Sequence, residues 1–372
     1  MSRPSVLHLA ILSAAALSTA LLARQAPVGS LPAPGPGGHG RVVASSGPTA
    51  QAGRATTDGQ ATKNEGPGTR RLQTISTPDG RPDLQGIWTN ATLTPLERPV
   101  DLAGKEFFTA EEAAAYAKAA RERNNADRRN TADPENDLAI GYNDIWWDRG
   151  TNVVSTRRTS LIVDPRDGKI PPLTAAALQK ANARAEARRL HPSDGPEDRS
   201  LADRCIIRGT AGPPMLPAGY NNTYLIVQSA DHVAIIVEMI HDVRIIPFDA
   251  RPHVSSKIRQ LMGDSRGRWE GRTLVVETTN FTDRTNFRGS GGALRVVERF
   301  TRVDGDTLLY QFTVEDPESF TRPWSAEIPM KKVEGPLFEY ACHEGNYSMD
   351  NTLEIARDEE RDAARAPKPP RN

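Results

Sequence analysis

The sequence predicts a mainly β protein: an antiparallel meander forms a barrel-like core, and two or three helices pack around it. Three observations predict this. Segments rich in β-branched and aromatic residues recur along the second half of the chain, each bounded by turn residues. Links such as Ala230-Asp231 and Asp304-Gly305 are too short for anything but antiparallel neighbours. The helical stretches are rich in Ala and charge and poor in Leu and Phe, so each offers only a narrow apolar face.

Taken in order, the chain opens with Arg3 and an apolar run from Val6 to Ala23, followed by small residues near Ala26. This is the layout of a secretory signal peptide over residues 1–26, with an uncleaved anchor helix as the alternative. No Cys follows the run, which disfavours a lipid anchor. Residues 27–75 are Gly, Pro, Ala, Ser and Thr with few large apolar side chains, a disordered leader that cannot bury enough surface to fold. A single β-rich domain is expected over residues 76–355, with a helical insertion at about 105–190, and a disordered tail over 356–372, whose charged stretch from about Arg357 reads as a frayed helix. The domain begins with a turn and short strand around Gly86-Ile87-Trp88. Thr109 and Glu112 form a capping box for a helix running to about Arg123. A second helix starts near Thr174 and ends with Arg188 and Arg189, cations suited to its C-terminal dipole.

Ten strands are expected: Ile87 to Thr89, Thr159 to Val163, Tyr224 to Gln228, Val233 to Ile240, Val243 to Phe248, Leu274 to Thr278, Leu294 to Val303, Thr307 to Glu315, Trp324 to Met330 and Leu337 to Cys342. A two-residue loop at Asp304-Gly305 would set Arg299 opposite Tyr310 and Val297 opposite Phe312. That register places Arg299, Tyr310 and Phe312 on the inner face and Glu298 on the outer one. Glu238 lies in an otherwise apolar run and requires a partner or a raised pKa. Arg244 is the candidate: a three-residue turn at His241-Asp242 sets the two side by side, and a two-residue turn separates them.

The 47 basic and 47 acidic residues balance, and loss of residues 1–26 leaves a charge of −2. This excludes a basic nucleic-acid surface as the leading idea. Two cysteines cannot build a disulfide-stapled mini-protein or a four-thiolate zinc site. Cys205 and Cys342 are expected to pair in an oxidising compartment; the alternative is a nucleophilic Cys342, for which adjacent His343 points the wrong way along a strand. His241, His253 and His343, with Asp242, Asp264 and Glu344, are weak metal candidates, because none has close ligand spacing. No cofactor is predicted. Trp146 and Trp147 occupy a loop, where they either plug one end of the barrel or touch a ligand. His343, Glu344, Asn346 and Tyr347 form the densest polar cluster after the expected last strand. Apart from the signal segment, no stretch is apolar enough to span a membrane.

The strings PDLQGIW, WWDRG, RTSLIVDPRDGKIPPLT, GPPMLPAGYNN, EMIHDVRIIPFDARPH, GDSRGRWEGRTLVVETTNF, VERFTRVDGDTLLYQFTVEDP and EYACHEGNYSM resemble a family of exported, functionally uncharacterised proteins of acidobacterial-type soil bacteria. The resemblance covers about residues 78 to 355 and implies export and a shared fold. Where such relatives read WEGDTLVV, this chain has Arg272 in place of the Asp. Gly86-Ile87-Trp88 ahead of a meander is also similar to the opening of lipocalin-like (calycin-like) barrels, whose Trp closes the barrel floor.

These observations combine into an exported, periplasmic or secreted protein that binds a small or apolar ligand in a barrel cavity. Trp88, Trp146, Trp147, Glu238, Arg244, Arg299, Tyr310 and Phe312 are the candidate contacts, with His343, Glu344, Asn346 and Tyr347 as a polar rim. Two alternatives are a periplasmic hydrolase or metal-dependent enzyme using His241, His253 and His343, and a cell-envelope interaction module without a pocket.

Overall fold

A computed structural model of the chain describes residues 76–128, 142–284 and 287–365. The expected signal and leader segments and residues 366–372 of the expected tail lie outside the described residues. Ten strands form one antiparallel sheet: β1 (Gly86–Thr89), β2 (Ile162–Asp164), β3 (Thr223–Gln228), β4 (His232–Val237), β5 (Val243–Pro247), β6 (Asp264–Glu270), β7 (Thr273–Thr279), β8 (Arg295–Arg302), β9 (Thr307–Glu315) and β10 (Trp324–Lys332). The strand order is β5-β4-β3-β1-β10-β9-β8-β7-β6, with β2 also paired to β10. Two meanders, β3 to β5 and β6 to β10, are therefore joined through the short first strand.

The sheet curls until its two edge strands meet, which makes a nearly closed barrel. At Gly267 the approach is tight: a Cβ there would meet Phe248 at 2.8 Å and Ile246 at 2.9 Å, so a side chain would hold the two edges apart. Trp269 packs edge-to-face on Phe248 at 6.1 Å. Nine antiparallel strands in the path leave the first and last pointing the same way, with Arg244 beside Ser265 and Ile246 beside Gly267. A closing ladder would have to be parallel, and none forms between β5 and β6 among the described residues. The barrel thus keeps a seam.

The inner face is set by alternation. Val233, Ile235 and Val237 of β4, Leu308, Tyr310, Phe312 and Val314 of β9, and Trp324, Ala326, Ile328 and Met330 of β10 are all buried, with exposed or half-exposed residues between them. The β8–β9 register differs from the expected one. Arg302 pairs with Leu308, Phe300 with Tyr310 and Glu298 with Phe312, because the loop holds three residues, Asp304 to Asp306, instead of two. One extra loop residue turns every β8 side chain to the opposite face. Glu298 consequently points inward and is fully buried, whereas Arg299 faces outward and pairs with Glu270 at 2.9 Å.

Arg302, which faces inward, stacks its guanidinium 5.1 Å from the ring centre of Trp88. It also donates to the carbonyls of Asp83, Asp304 and Gly305, fastening the first strand to the β8–β9 loop. Trp88 itself is fully buried and donates its indole N–H to the Leu84 carbonyl at 3.0 Å. At the β4–β5 connection the loop has four residues, Glu238 to His241, of which Ile240 and His241 have positive φ.

Helix α1 (Ala110–Asn124) carries the expected Thr109–Glu112 capping box, and α2 (Ala175–Leu190) is capped by the Thr174 hydroxyl. Each buries only alanines. One expectation fails near the C-terminus: residues Leu337 to Cys342 form no strand. Helix α3 (Ser348–Arg365) begins ahead of the stretch expected as a frayed helix and runs through residues 356–365. β6 was not expected, since its sequence DSRGRWE lacks the apolar residues that mark a strand. Cys205 and Cys342 are joined by a disulfide spanning 137 residues, which ties the segment leading to α3 back to the body. No helix among the described residues is long and apolar enough to cross a membrane.

Candidate functional site

The seam is open where β5 begins. There a cleft of about 440 Å³ is bounded by Asp242, Val243, Arg244 and Ile245 on one side and by residues from Gln260 to Ser265 on the other, with Ile206 and Ile207 closing one wall. Val243 and Ile245 occupy the outward positions of β5 and are exposed, while Ile207 is buried. Leu261 and Met262 complete an apolar wall. The cleft is therefore concave and of mixed lining, an apolar wall beside polar groups.

The polar groups come from β5 and its neighbours inside the barrel. Arg244 pairs with Ile235 across the β4–β5 ladder and so shares the inner face. Its guanidinium is only 2% exposed and donates to both oxygens of Glu298, at 3.0 Å from Nη1 and 2.5 Å from Nη2. Nη2 also reaches Ser265 Oγ at 3.4 Å and Thr278 Oγ1 at 3.5 Å. Glu298 accepts a further hydrogen bond from the Tyr310 hydroxyl at 2.8 Å, and that hydroxyl accepts one from the Met215 backbone N–H at 2.9 Å. Burial works against the charge of Arg244, but the adjacent carboxylate of Glu298 more than offsets it and raises the pKa. Burial first, then Glu298, pushes the Tyr310 phenol well above its usual range, so it remains a donor.

Two buried polar atoms of residues that line the cleft have no hydrogen-bond partner among the described residues: Arg244 Nε, a donor, and Asp242 Oδ2, an acceptor. Burial raises the Asp242 carboxyl to about 6, against the opposing effect of nearby His241. A buried unsatisfied donor or acceptor costs about 1–3 kcal/mol, so both atoms are poised to gain from a partner. A hydroxyl carries both an acceptor and a donor, the complements of these two groups.

The other expected site residues are dispersed. Glu238 is buried in the β4–β5 loop with its backbone N–H on the Thr223 carbonyl, and it does not pair with Arg244. Tyr310 and Phe312 are fully buried and packed on each other at 5.7 Å, with Phe300 and Trp324 as further ring neighbours. With Arg299 outside, these three residues share no ligand-facing surface. Trp147 packs on Tyr220 and under Arg149, whose guanidinium lies 3.9 Å from the ring centre, while Trp146 is exposed. His343, Glu344, Asn346 and Tyr347 lie exposed between the disulfide and α3, where Asn346 Nδ2 donates to the Cys342 carbonyl at 2.8 Å.

The three histidines do not converge. His241 Nδ1 lies 3.2 Å from the Tyr340 carbonyl, His253 pairs with Asp264 at 2.8 Å, and His343 is in the exposed segment. No group of three or more potential metal ligands is assembled among the described residues. Glu298, Ser265 and Thr278 escaped the sequence reading as site residues. Glu298 carried a usable signal, a carboxylate alternating with Val296 and Phe300. Comparison of the chain with protein-family models, curated proteins and solved structures finds no match in any of the three.

Proposed function

We propose that this is an exported binding protein whose ligand is a small, mostly apolar molecule bearing a hydroxyl group, held in the cleft at the β5–β6 seam. The observation that carries this reading is the coincidence of a cleft with one apolar wall and a buried donor and a buried acceptor that lack partners among the described residues, Arg244 Nε and Asp242 Oδ2. The Glu298 carboxylate neutralises Arg244, so the site favours a neutral polar handle over a free anion. The disulfide and the N-terminal apolar run support export, because disulfides persist in oxidising compartments.

Titration of the purified protein with 1-decanol, followed by calorimetry, tests the assignment. One-to-one binding is expected, with decanoate binding more weakly above pH 6, where Asp242 is ionised. The substitution Val243→Trp, at an exposed position lining the cleft, is expected to abolish binding without lowering the melting temperature. Absence of 1-decanol binding, or equal binding by the variant, would overturn the proposal.

A further inference from the structure

A second concavity lies on the outside of the barrel, sharing only Ile207 with the seam cleft. It measures about 690 Å³, and five arginines line it: Arg184 and Arg188 one helical turn apart on α2, Arg199 and Arg204 from the segment that follows, and Arg284 from the loop after β7. Three acids share the lining, but two are engaged locally. Asp194 holds His191 Nδ1 at 2.6 Å, and Asp198 accepts the Gly195 N–H at 2.9 Å. Glu197 is the third.

The arginines are not equally engaged. Arg199 reaches Asp203 at 3.4 Å and Ser193 Oγ at 3.3 Å. The side chains of Arg188, Arg204 and Arg284 make no hydrogen bond or ion pair with any described residue. Three guanidinium groups from three separate elements thus line one groove with no direct ion pair to a described residue, and the five arginines outnumber the three acids in the lining, in a chain whose overall charge is zero. Like charges gathered in a concave wall raise the local potential and draw an anion into it. The guanidinium fork matches the paired oxygens of phosphate or carboxylate and can bind them bidentately.

We propose that this groove is a binding site for a multiply charged oxyanion, a compound carrying two or more phosphate or carboxylate groups spaced to meet Arg188, Arg204 and Arg284. The site is independent of the seam cleft, and its size admits a ligand larger than a single phosphate ion.

The test is calorimetric titration of the purified protein with sodium triphosphate, citrate and sulfate, at low and high salt. Triphosphate or citrate is expected to bind one-to-one and at least about tenfold more tightly than sulfate, with affinity falling as salt rises. Whichever of the two binds more tightly identifies the anionic group that the site favours. The triple substitution Arg188→Ala/Arg204→Ala/Arg284→Ala is expected to remove binding with an unchanged melting temperature, because none of the three side chains makes a hydrogen bond or ion pair with a described residue. Arg299→Ala, which breaks the Glu270 ion pair and lies outside the lining of this groove, serves as a control and is expected to bind as the parent does. A melting temperature that rises with triphosphate in the parent and not in the triple variant provides a second readout. No binding of either polyanion by the parent, or undiminished binding by the triple variant, would overturn the proposal.

Discussion

Arg244 and Glu298, 54 residues apart in sequence, meet inside the barrel through two hydrogen bonds, with side chains 2% and 0% exposed. The pair joins β5 to β8 across the barrel interior, and Arg244 also lines the seam cleft. Removing either partner strands a buried charge, which costs about 3–5 kcal/mol, whereas replacing both with apolar residues costs far less. Arg244→Met and Glu298→Leu, each alone, should therefore destabilise strongly in urea unfolding, and the double variant should lose much less than the summed single losses. Additive losses would show that the two do not depend on each other.

Asp242 governs a pH response at the cleft. Its carboxyl is raised by burial from 3.8 to about 6 in the folded protein. Between these values the folded state holds the proton more tightly than the unfolded chain, so the contribution is fully present below about pH 4 and is lost as pH rises through about 6. Asp242→Asn should flatten the stability profile over that window and raise neutral-pH stability by about 1 kcal/mol at most, since the carboxyl is only half-buried. Thermal melts at several pH values would show it; an unchanged profile would contradict the assignment.

Arg302 is a staple as well as a ring cover. Its loss removes donors to three carbonyls and the contact with Trp88. Arg302→Ala should cost about 2–3 kcal/mol in denaturant unfolding, and Arg302→Lys should recover little, because an ammonium cannot reproduce the planar fork. Full rescue by lysine would mean that charge alone matters there.

The Cys205–Cys342 bridge closes a loop of 137 residues and fixes the segment before α3. Its removal by the double substitution Cys205→Ser/Cys342→Ser should cost about 2–4 kcal/mol. Limited proteolysis should then cut first between residues 333 and 347. Equal protease resistance with and without the bridge would show that α3 is held by other contacts.

Nine of the ten strands were legible because their inner faces are β-branched or aromatic. β6 was not, because Arg266, Gly267 and Arg268 are chosen for the seam, where Gly267 lets Phe248 approach and the arginines face outward. Leu337 to Cys342 has strand-like composition but no neighbour to pair with, and composition alone cannot reveal that. The Asp304-Gly305 turn was found, yet one uncounted loop residue sufficed to exchange Glu298 with Arg299 between inside and outside. Arg244 stood out as a charge in an apolar strand. Its partner did not, since the choice of Glu298 over Glu238 is made by the wrapping of the sheet. The seam itself has no local signature: it arises where the two ends of a nine-strand path meet in parallel.

The central claim is that ligand enters at this seam. Hydrogen exchange of the protein with and without 1-decanol tests it most directly. The expected result is added protection of backbone amides in residues 242–246 and 260–266, with the remainder of the barrel unchanged. Protection confined to another region, such as the Trp146-Trp147 loop, or no change anywhere at saturating 1-decanol, would contradict it.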